Sequence, residues 1–275
     1  MAGRLYLVAT PIGNLEDITY RAVRTLREVD LIACEDTRHT RRLLDHYEIA
    51  RPLISYHEHN EQARAEELVG KLLAGTNIAL VSDAGMPLVS DPGYRVAAAA
   101  IRAGIAVVPV PGPSAVITAL AAAGLATDAF YFGGFLPAKS GQRSRALKAL
   151  RDQTATLVFY EAPHRIVDTL ADIEKILGPR PVVVARELTK LHEEFLRGTP
   201  GEIRAALESR PAVKGEITLL IGKASSAAPE TTPIDEAVAL HIQSGMSRMD
   251  AIKEVARTRG LSKREVYRQT QIEKE

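Results

Sequence analysis

The chain has 275 residues, 46% apolar and 25% charged, with a formal net charge of +1. That mix fits an ordered globular protein of about two domains, and it confines any nucleic-acid affinity to local patches. The single cysteine, Cys34, excludes an internal disulfide framework and fits a reducing compartment.

Leu5 to Ala9 reads as a first strand, followed by the turn Thr10-Pro11-Ile12-Gly13-Asn14. The strand is too short for the apolar core of a signal sequence, and no apolar run reaches the ~18 residues of a membrane span. A cytoplasmic protein without a membrane partner is therefore expected. A helix is expected over Thr19 to Glu28, a strand over Leu31 to Cys34, and a helix over Thr37 to Tyr47. Pro52 to Ser55 reads as a short strand, and Asn60 to Ala74 as an amphipathic helix closed by Gly75.

Ile78 to Val81 reads as a buried strand, which runs into the polar stretch from Ser82 to Gly93. Asp91 and Pro92 suit the cap and first position of a helix over Tyr94 to Ala103. A Gly-containing loop at the carboxyl end of a strand is where open α/β sheets bind ligands, although a plain βα connection has the same pattern. A strand over Ala106 to Pro109, the turn Pro111 to Ala115 and an Ala-rich helix ending near Gly124 complete an α/β unit with a largely parallel sheet.

A second series follows. Strands are expected over Phe130 to Gly133, Thr156 to Tyr160, Val182 to Arg186 and Glu216 to Ile221. Helices are expected over Ser140 to Arg151, over Pro163 to Leu177 opened by Pro163, and over Pro200 to Glu208. Leu188 to Leu196 reads as strand or loop. Residues 225–233 have the composition of a linker, and three helices behind it have the spacing of a helix-turn-helix. The division expected is 1–115, 116–224, the linker, and a helical module over 234–275.

Neither GxGxxG nor GxxxxGK[ST] is present, so dinucleotide and P-loop sites lack their signatures. His57-Glu58-His59 offers two imidazoles but no further ligand nearby, so no metal is expected. What remains is a set of polar loops after predicted strands: 10–14, 35–37, 82–91, 111–114, 161–165 and 187–190. Parallel strands would bring those ends to one edge of each sheet, and two facing edges make a cleft.

The segments LVATPIGNLEDIT, ACEDTRHT, LVSDAGMPLVSDPGY, VPGPSA, FYEAPHR and RELTKLHEE, in that order, resemble the RNA-directed group of the tetrapyrrole methylase family. The resemblance spans about Leu5 to Lys223 and extends to the linker and three-helix tail. It implies two α/β domains with S-adenosylmethionine in the cleft between them and a small C-terminal helical module. It also implies methyl transfer to the ribose 2′-oxygen of a decoding-centre cytidine in 16S rRNA, within the small ribosomal subunit, by a homodimer. The TPIGN turn replaces the wider family's Gly-rich one, which argues against a tetrapyrrole substrate. A precorrin-type methylase and a non-enzymatic nucleic-acid-binding regulator are the alternatives.

By resemblance the cofactor contacts are Pro11, Asp83, Gly85, Met86, Val89, Ser114, Ala115, Tyr160, Glu161, Ala162, Leu188 and Ile217. Glu187, Lys190 and His164 are the ionisable candidates for a base at strand ends. Arg38, Arg41, Arg42, Lys139, Arg143, Arg145, Lys148, Arg165, Lys263, Arg264 and Arg268 are candidate RNA contacts, because basic groups on helical surfaces suit phosphate.

Overall fold

Short apolar runs build the first sheet: β1 (Leu5–Val8), β2 (Leu31–Cys34), β3 (Leu53–Ser55), β4 (Ile78–Leu80) and β5 (Val107–Val110). They lie in the order β3-β2-β4-β1-β5, and every neighbouring pair is parallel. Side-chain alternation splits the sheet into two apolar faces. Leu5, Ala33, Ile78 and Leu80 pack on α3 (Glu61–Leu73) and α4 (Tyr94–Arg102). Val8, Ile32, Ala79 and Val110 pack on α1 (Tyr20–Glu28) and α2 (Thr37–His46), and Cys34 is buried with them as a core side chain. Covering both faces is what a parallel sheet requires.

The second sheet holds β6 (Phe130–Phe135), β7 (Thr156–Glu161), β8 (Val182–Arg186), β9 (Glu194–Gly198) and β10 (Ile217–Ile221), in the order β6-β7-β10-β8-β9. Only β6 and β7 are parallel neighbours; β10 runs antiparallel between β7 and β8. β7 and β8 therefore point the same way, and β10 begins where they end. Ile217 sits opposite both Glu161 and Arg186. One face packs on α6 (Ser140–Ala149), α7 (Ile166–Leu177) and α8 (Pro200–Glu208), and α5 (Ala115–Ala123) covers the other.

This computed structural model describes residues 1–57, 60–224, 232–259 and 261–270. It forms two compact units, Met1–Gly222 and Lys223–Glu275. In the second, α9 (Ile234–Gln243), α10 (Arg248–Arg259) and α11 (Lys263–Gln269) enclose Val238, Ile252, Val255 and Val266. Most of the expected linker, and Glu58 and His59, lie outside the described residues. No described helix is long and apolar enough to cross a membrane.

Three local expectations are corrected. Asp91 and Pro92 do not open α4: its N-cap is Gly93 at φ 138°. The cap is supplied from α3, where Glu61 Oε1 accepts the backbone N–H groups of Gly93 (3.1 Å) and Arg95 (3.4 Å). A Cβ at residue 93 would meet Leu80 at 2.8 Å and Leu88 at 2.9 Å, so the left-handed turn and the close packing both require glycine. Helix α7 opens at Ile166, not at Pro163, because Arg165 closes a turn onto the Ala162 carbonyl first. The segment read as strand or loop divides, with a loop to Glu193 and then β9 paired to β8.

The Glu61 cap yields a stability prediction. Burial disfavours its charge, but the donors of Gly93, Arg95 and Tyr56 outweigh burial and hold its pKa below the ordinary value. A depressed folded pKa means stability is present above the unfolded value of about 4.3 and lost as pH falls through the folded one. Glu61→Ala should cost about 1–2 kcal/mol in urea denaturation at pH 7, and the deficit should shrink once the carboxylate protonates.

Candidate functional site

A cavity of about 410 Å³ opens where the carboxyl ends of β1, β4 and β5 face the edge shared by β7, β8 and β10. Ile12, residues 83–86 and 89–91, Ser114 and Ala115 form one wall. Phe135, residues 160–163, Leu188 and residues 215–218 form the other.

The turn after β1 joins the two walls. Thr10 and Gly85 exchange backbone hydrogen bonds, Thr10 N–H to Gly85 O at 2.9 Å and Gly85 N–H to Thr10 O at 3.0 Å. The Thr10 hydroxyl donates to Ser82 O at 3.0 Å, and the Ser82 hydroxyl donates to Gly85 O at 3.1 Å. Gly85 itself sits at φ 84°, a conformation that costs glycine nothing. Two residues past Thr10, Ile12 joins the apolar cluster of the second sheet. Asn14 N–H then donates to Thr189 Oγ1 at 3.1 Å.

The loop after β8 is held by charge. Glu187 Oε1 accepts Lys190 Nζ and the Glu216 N–H, each at 2.9 Å, and Lys190 Nζ also donates to Glu216 Oε2 at 2.9 Å. These bonds hold Glu187 and Thr189 at φ 53° and 65°.

Of the expected contacts, Asp83, Gly85, Met86, Val89, Ser114, Ala115, Tyr160, Glu161, Ala162, Leu188 and Ile217 all line the cavity. Pro11 is buried beside it and is not on the wall. The Glu161 carboxylate is saturated: Thr169 Oγ1 donates at 2.7 Å, Ala162 N–H at 2.8 Å and Arg165 Nε at 2.9 Å.

None of the three candidate bases lines the cavity. His164 is exposed. The Glu216 N–H and Lys190 hold the Glu187 pKa below the usual carboxylate range. Burial works against the Lys190 charge, but Glu216 and Glu187 outweigh it and raise its pKa. A charged, multiply bonded pair of this kind is a poor proton acceptor.

The cavity also holds residues the sequence reading passed over. Glu216, Gly215 and Thr218 reach it only because β10 runs antiparallel, which apolar spacing does not encode. Ile12, Ala84, Ser90, Phe135 and Pro163 sit in or beside segments already singled out. Asp91, assigned to a helix cap, is on the wall instead. Burial, then the charges of Glu35 and Asp83, push its pKa up to about 6.

Two basic candidates are corrected. Arg143 is only 4% exposed, with Nε on Asp172 Oδ2 at 2.7 Å and Nη1 on Ala138 O at 3.3 Å. Arg165 bonds Glu161 and donates to Leu136 O at 2.8 Å. Arg143 is thus a buried internal tie, and Arg165 is a half-buried one whose Nε and Nη2 are already engaged. Arg38, Arg41, Arg42, Lys139, Arg145, Lys148, Lys263, Arg264 and Arg268 are exposed, and Arg38 is engaged with Asp36.

Comparison with known proteins places the chain in company. Residues 4–204 match the family described as Tetrapyrrole (Corrin/Porphyrin) Methylases. The chain is 51% identical over 273 residues to a protein of Halalkalibacterium halodurans named ribosomal RNA small subunit methyltransferase I, covering 96% of this chain and 93% of that one. The Escherichia coli O157:H7 protein of the same name is 49% identical, covering 97% and 94%. Among solved structures, diphthine synthase superposes with a TM-score of 0.63 at 14% identity, covering 80% of this chain and 90% of that chain. Uroporphyrin-III C-methyl transferase from Thermus thermophilus, complexed with S-adenyl homocysteine, gives 0.56 at 21% identity, covering 81% and 98%.

The Arg143–Asp172 pair is testable apart from any substrate. Arg143→Ala should leave Asp172 without its partner and lower stability by roughly 3 kcal/mol. Arg145→Ala and Lys148→Ala should leave the urea midpoint nearly unchanged.

Proposed function

Since the chain belongs to the tetrapyrrole methylase family, we propose that it is an S-adenosylmethionine-dependent methyltransferase of 16S rRNA, acting on the ribose 2′-hydroxyl of a decoding-centre cytidine. The observation that carries this reading is about half identity over nearly the full length of relatives named ribosomal RNA small subunit methyltransferase I.

The cavity's residues fit the cofactor. Its volume lies in the ~300–1,000 Å³ range of small-ligand sites. Gly85 presents bare backbone on the wall at φ 84°, a conformation that any side chain would strain. Asp83 and Asp91 suit a ligand of positive charge, and Phe135 and Tyr160 supply an apolar, aromatic wall. The loops at 83–86, 114–115 and 160–162, with Ile217, would hold it. When bound, the cofactor supplies a methyl group already activated by a positively charged sulfur. The protein's task is then to exclude water, align the hydroxyl and take up its proton.

Substrate and assembly follow the same reading. The exposed cations on α2 and α6, together with Lys139, are the RNA-facing groups of the larger unit, and Lys263, Arg264 and Arg268 are those of the helical module. The substrate site lies within the small ribosomal subunit. A homodimer fits β6, an edge strand whose Phe130 and Tyr131 are 43% and 41% exposed.

The test is ribose-methylation mapping of 16S rRNA from cells lacking this protein, complemented with wild type or Gly85→Val. Wild type should restore a 2′-O-methyl cytidine. The variant, strained at φ 84°, should bind cofactor at least about tenfold more weakly in calorimetry and fail to restore it. A folded Gly85→Val protein with normal affinity would overturn the site.

Truncation after Ala224 tests the module. Cofactor affinity should stay near normal, RNA affinity should fall, and its salt dependence should flatten because fewer phosphate counterions are released. An unchanged salt slope would refute RNA docking by the module.

A further inference from the structure

Four carboxylates line the cavity, Asp83, Asp91, Glu161 and Glu216, and their surroundings differ. Glu161 is saturated by Thr169, Arg165 and a backbone N–H. Glu216 accepts Lys190. Asp83 Oδ1 accepts the Asp36 N–H at 3.2 Å. Asp91 is half-buried, and no hydrogen bond or ion pair engages its carboxylate among the described residues. It stands on the loop between β4 and α4, flanked by Ser90 at φ 66° and the required Gly93. That backbone fixes its place on the wall while leaving its oxygens uncommitted.

Resting on the methyltransferase reading, we propose that Asp91 is the proton acceptor of the reaction and takes the hydrogen of the attacking ribose hydroxyl. The balance is complete without a further reactant. The hydroxyl oxygen forms its bond to the methyl carbon. The carbon–sulfur bond breaks and its electron pair stays on sulfur, which becomes neutral. The displaced proton goes to an Asp91 oxygen and leaves later to solvent.

The electrostatics suit the role. The groups facing Asp91 are Glu35 at the end of β2, Asp83 after β4 and the Tyr160 phenol on β7, with no cation among them. Burial and these neighbours push its pKa up to about 6, so it is ionised at neutral pH yet a stronger base than an ordinary carboxylate. Tyr160 is itself pushed up, first by burial and then by Asp91, so it stays neutral.

Two measurements on the full-length protein decide the matter. Asp91→Asn should lower kcat on 16S rRNA by about 10²-fold or more at pH 7 at saturating cofactor, over and above any rise in cofactor KM from the lost charge, with a melting temperature like wild type. Wild-type kcat/KM for cofactor should fall as pH drops below about 6, and Asn should remove that limb. The second measurement needs no turnover. Calorimetry at pH 6 in buffers of different ionisation enthalpy should detect proton release when wild type binds S-adenosylmethionine, because the incoming positive charge favours ionised Asp91. S-adenosylhomocysteine, neutral at sulfur, should release less, and Asp91→Asn should release none. Intact kcat in Asp91→Asn, or a loss confined to cofactor affinity, overturns the proposal, as does wild-type binding without proton release. If wild type methylates no rRNA, the methyltransferase reading falls first. If wild type is active and the variant equally so, only the role of Asp91 falls.

Discussion

The reciprocal hydrogen bonds between Thr10 and Gly85 are the constraint on which the site depends. They tie the turn after β1 directly to the turn after β4. The same turn then leaves the first sheet and delivers Ile12 into the apolar cluster of the second. Gly13 lies so close to the β8 loop that a β carbon would stand 2.5 Å from Lys190 Cγ and 2.8 Å from Thr189 Oγ1. Five residues thus set the separation of the cavity's walls. The separation of the walls is set in this turn by packing and backbone bonds, while the ion pairs of Lys190 with Glu187 and Glu216 shape the loop that carries Leu188.

Backbone strain gathers around the same place. Five described residues other than glycine have positive φ: Glu48, Leu88, Ser90, Glu187 and Thr189. Four of them lie in the two loops that face each other across the cavity. Each costs on the order of 1 kcal/mol, so each needs a local compensation. Leu88 packs into the core beneath α4. Glu187 is held by Lys190 and the Glu216 N–H. Thr189 donates its N–H to Glu193 Oε2 at 2.7 Å and accepts Asn14. The loops are therefore rigid in unusual shapes, which is what presenting backbone groups to a ligand requires.

The sequence made some layers of this legible and hid others for identifiable reasons. Strands and helices followed from apolar period, because in a sheet covered on both faces burial dictates the pattern. The loops at the strand ends followed from topology, and they supply most of the cavity wall. Strand direction in the second sheet did not follow, since Ile217–Ile221 is buried at every position and reads the same either way. Charge was the least legible layer. Arg143 and Arg145 look alike in a basic helix, yet one is buried on Asp172 and the other is exposed. The partner of Arg143 lies 29 residues away. The role of Asp91 is hidden for a similar reason: an Asp-Pro-Gly before a helix is a good capping sequence, and only packing shows that Glu61, from another helix, has taken the task.

Displacing that aspartate from the cap has an electrostatic consequence for the proposed chemistry. A carboxylate capping α4 would be stabilised by the helix amides and held at low pKa. With Glu61 doing the capping, Asp91 faces Glu35 and Asp83 instead, where its charge is disfavoured. That is a costly arrangement for an empty cavity and a favourable one for a cationic ligand. On the proposed placement, Asp91 and the ligand's positive sulfur neutralise each other before methyl transfer. Afterwards the sulfur is neutral, and Asp91 holding the hydroxyl proton is neutral too. The pair is charge-balanced at both ends of the reaction, so no lone charge is stranded between low-dielectric walls. A base already tied into an ion pair, such as Glu187 with Lys190, could not achieve this, because protonating it would leave the lysine unpaired.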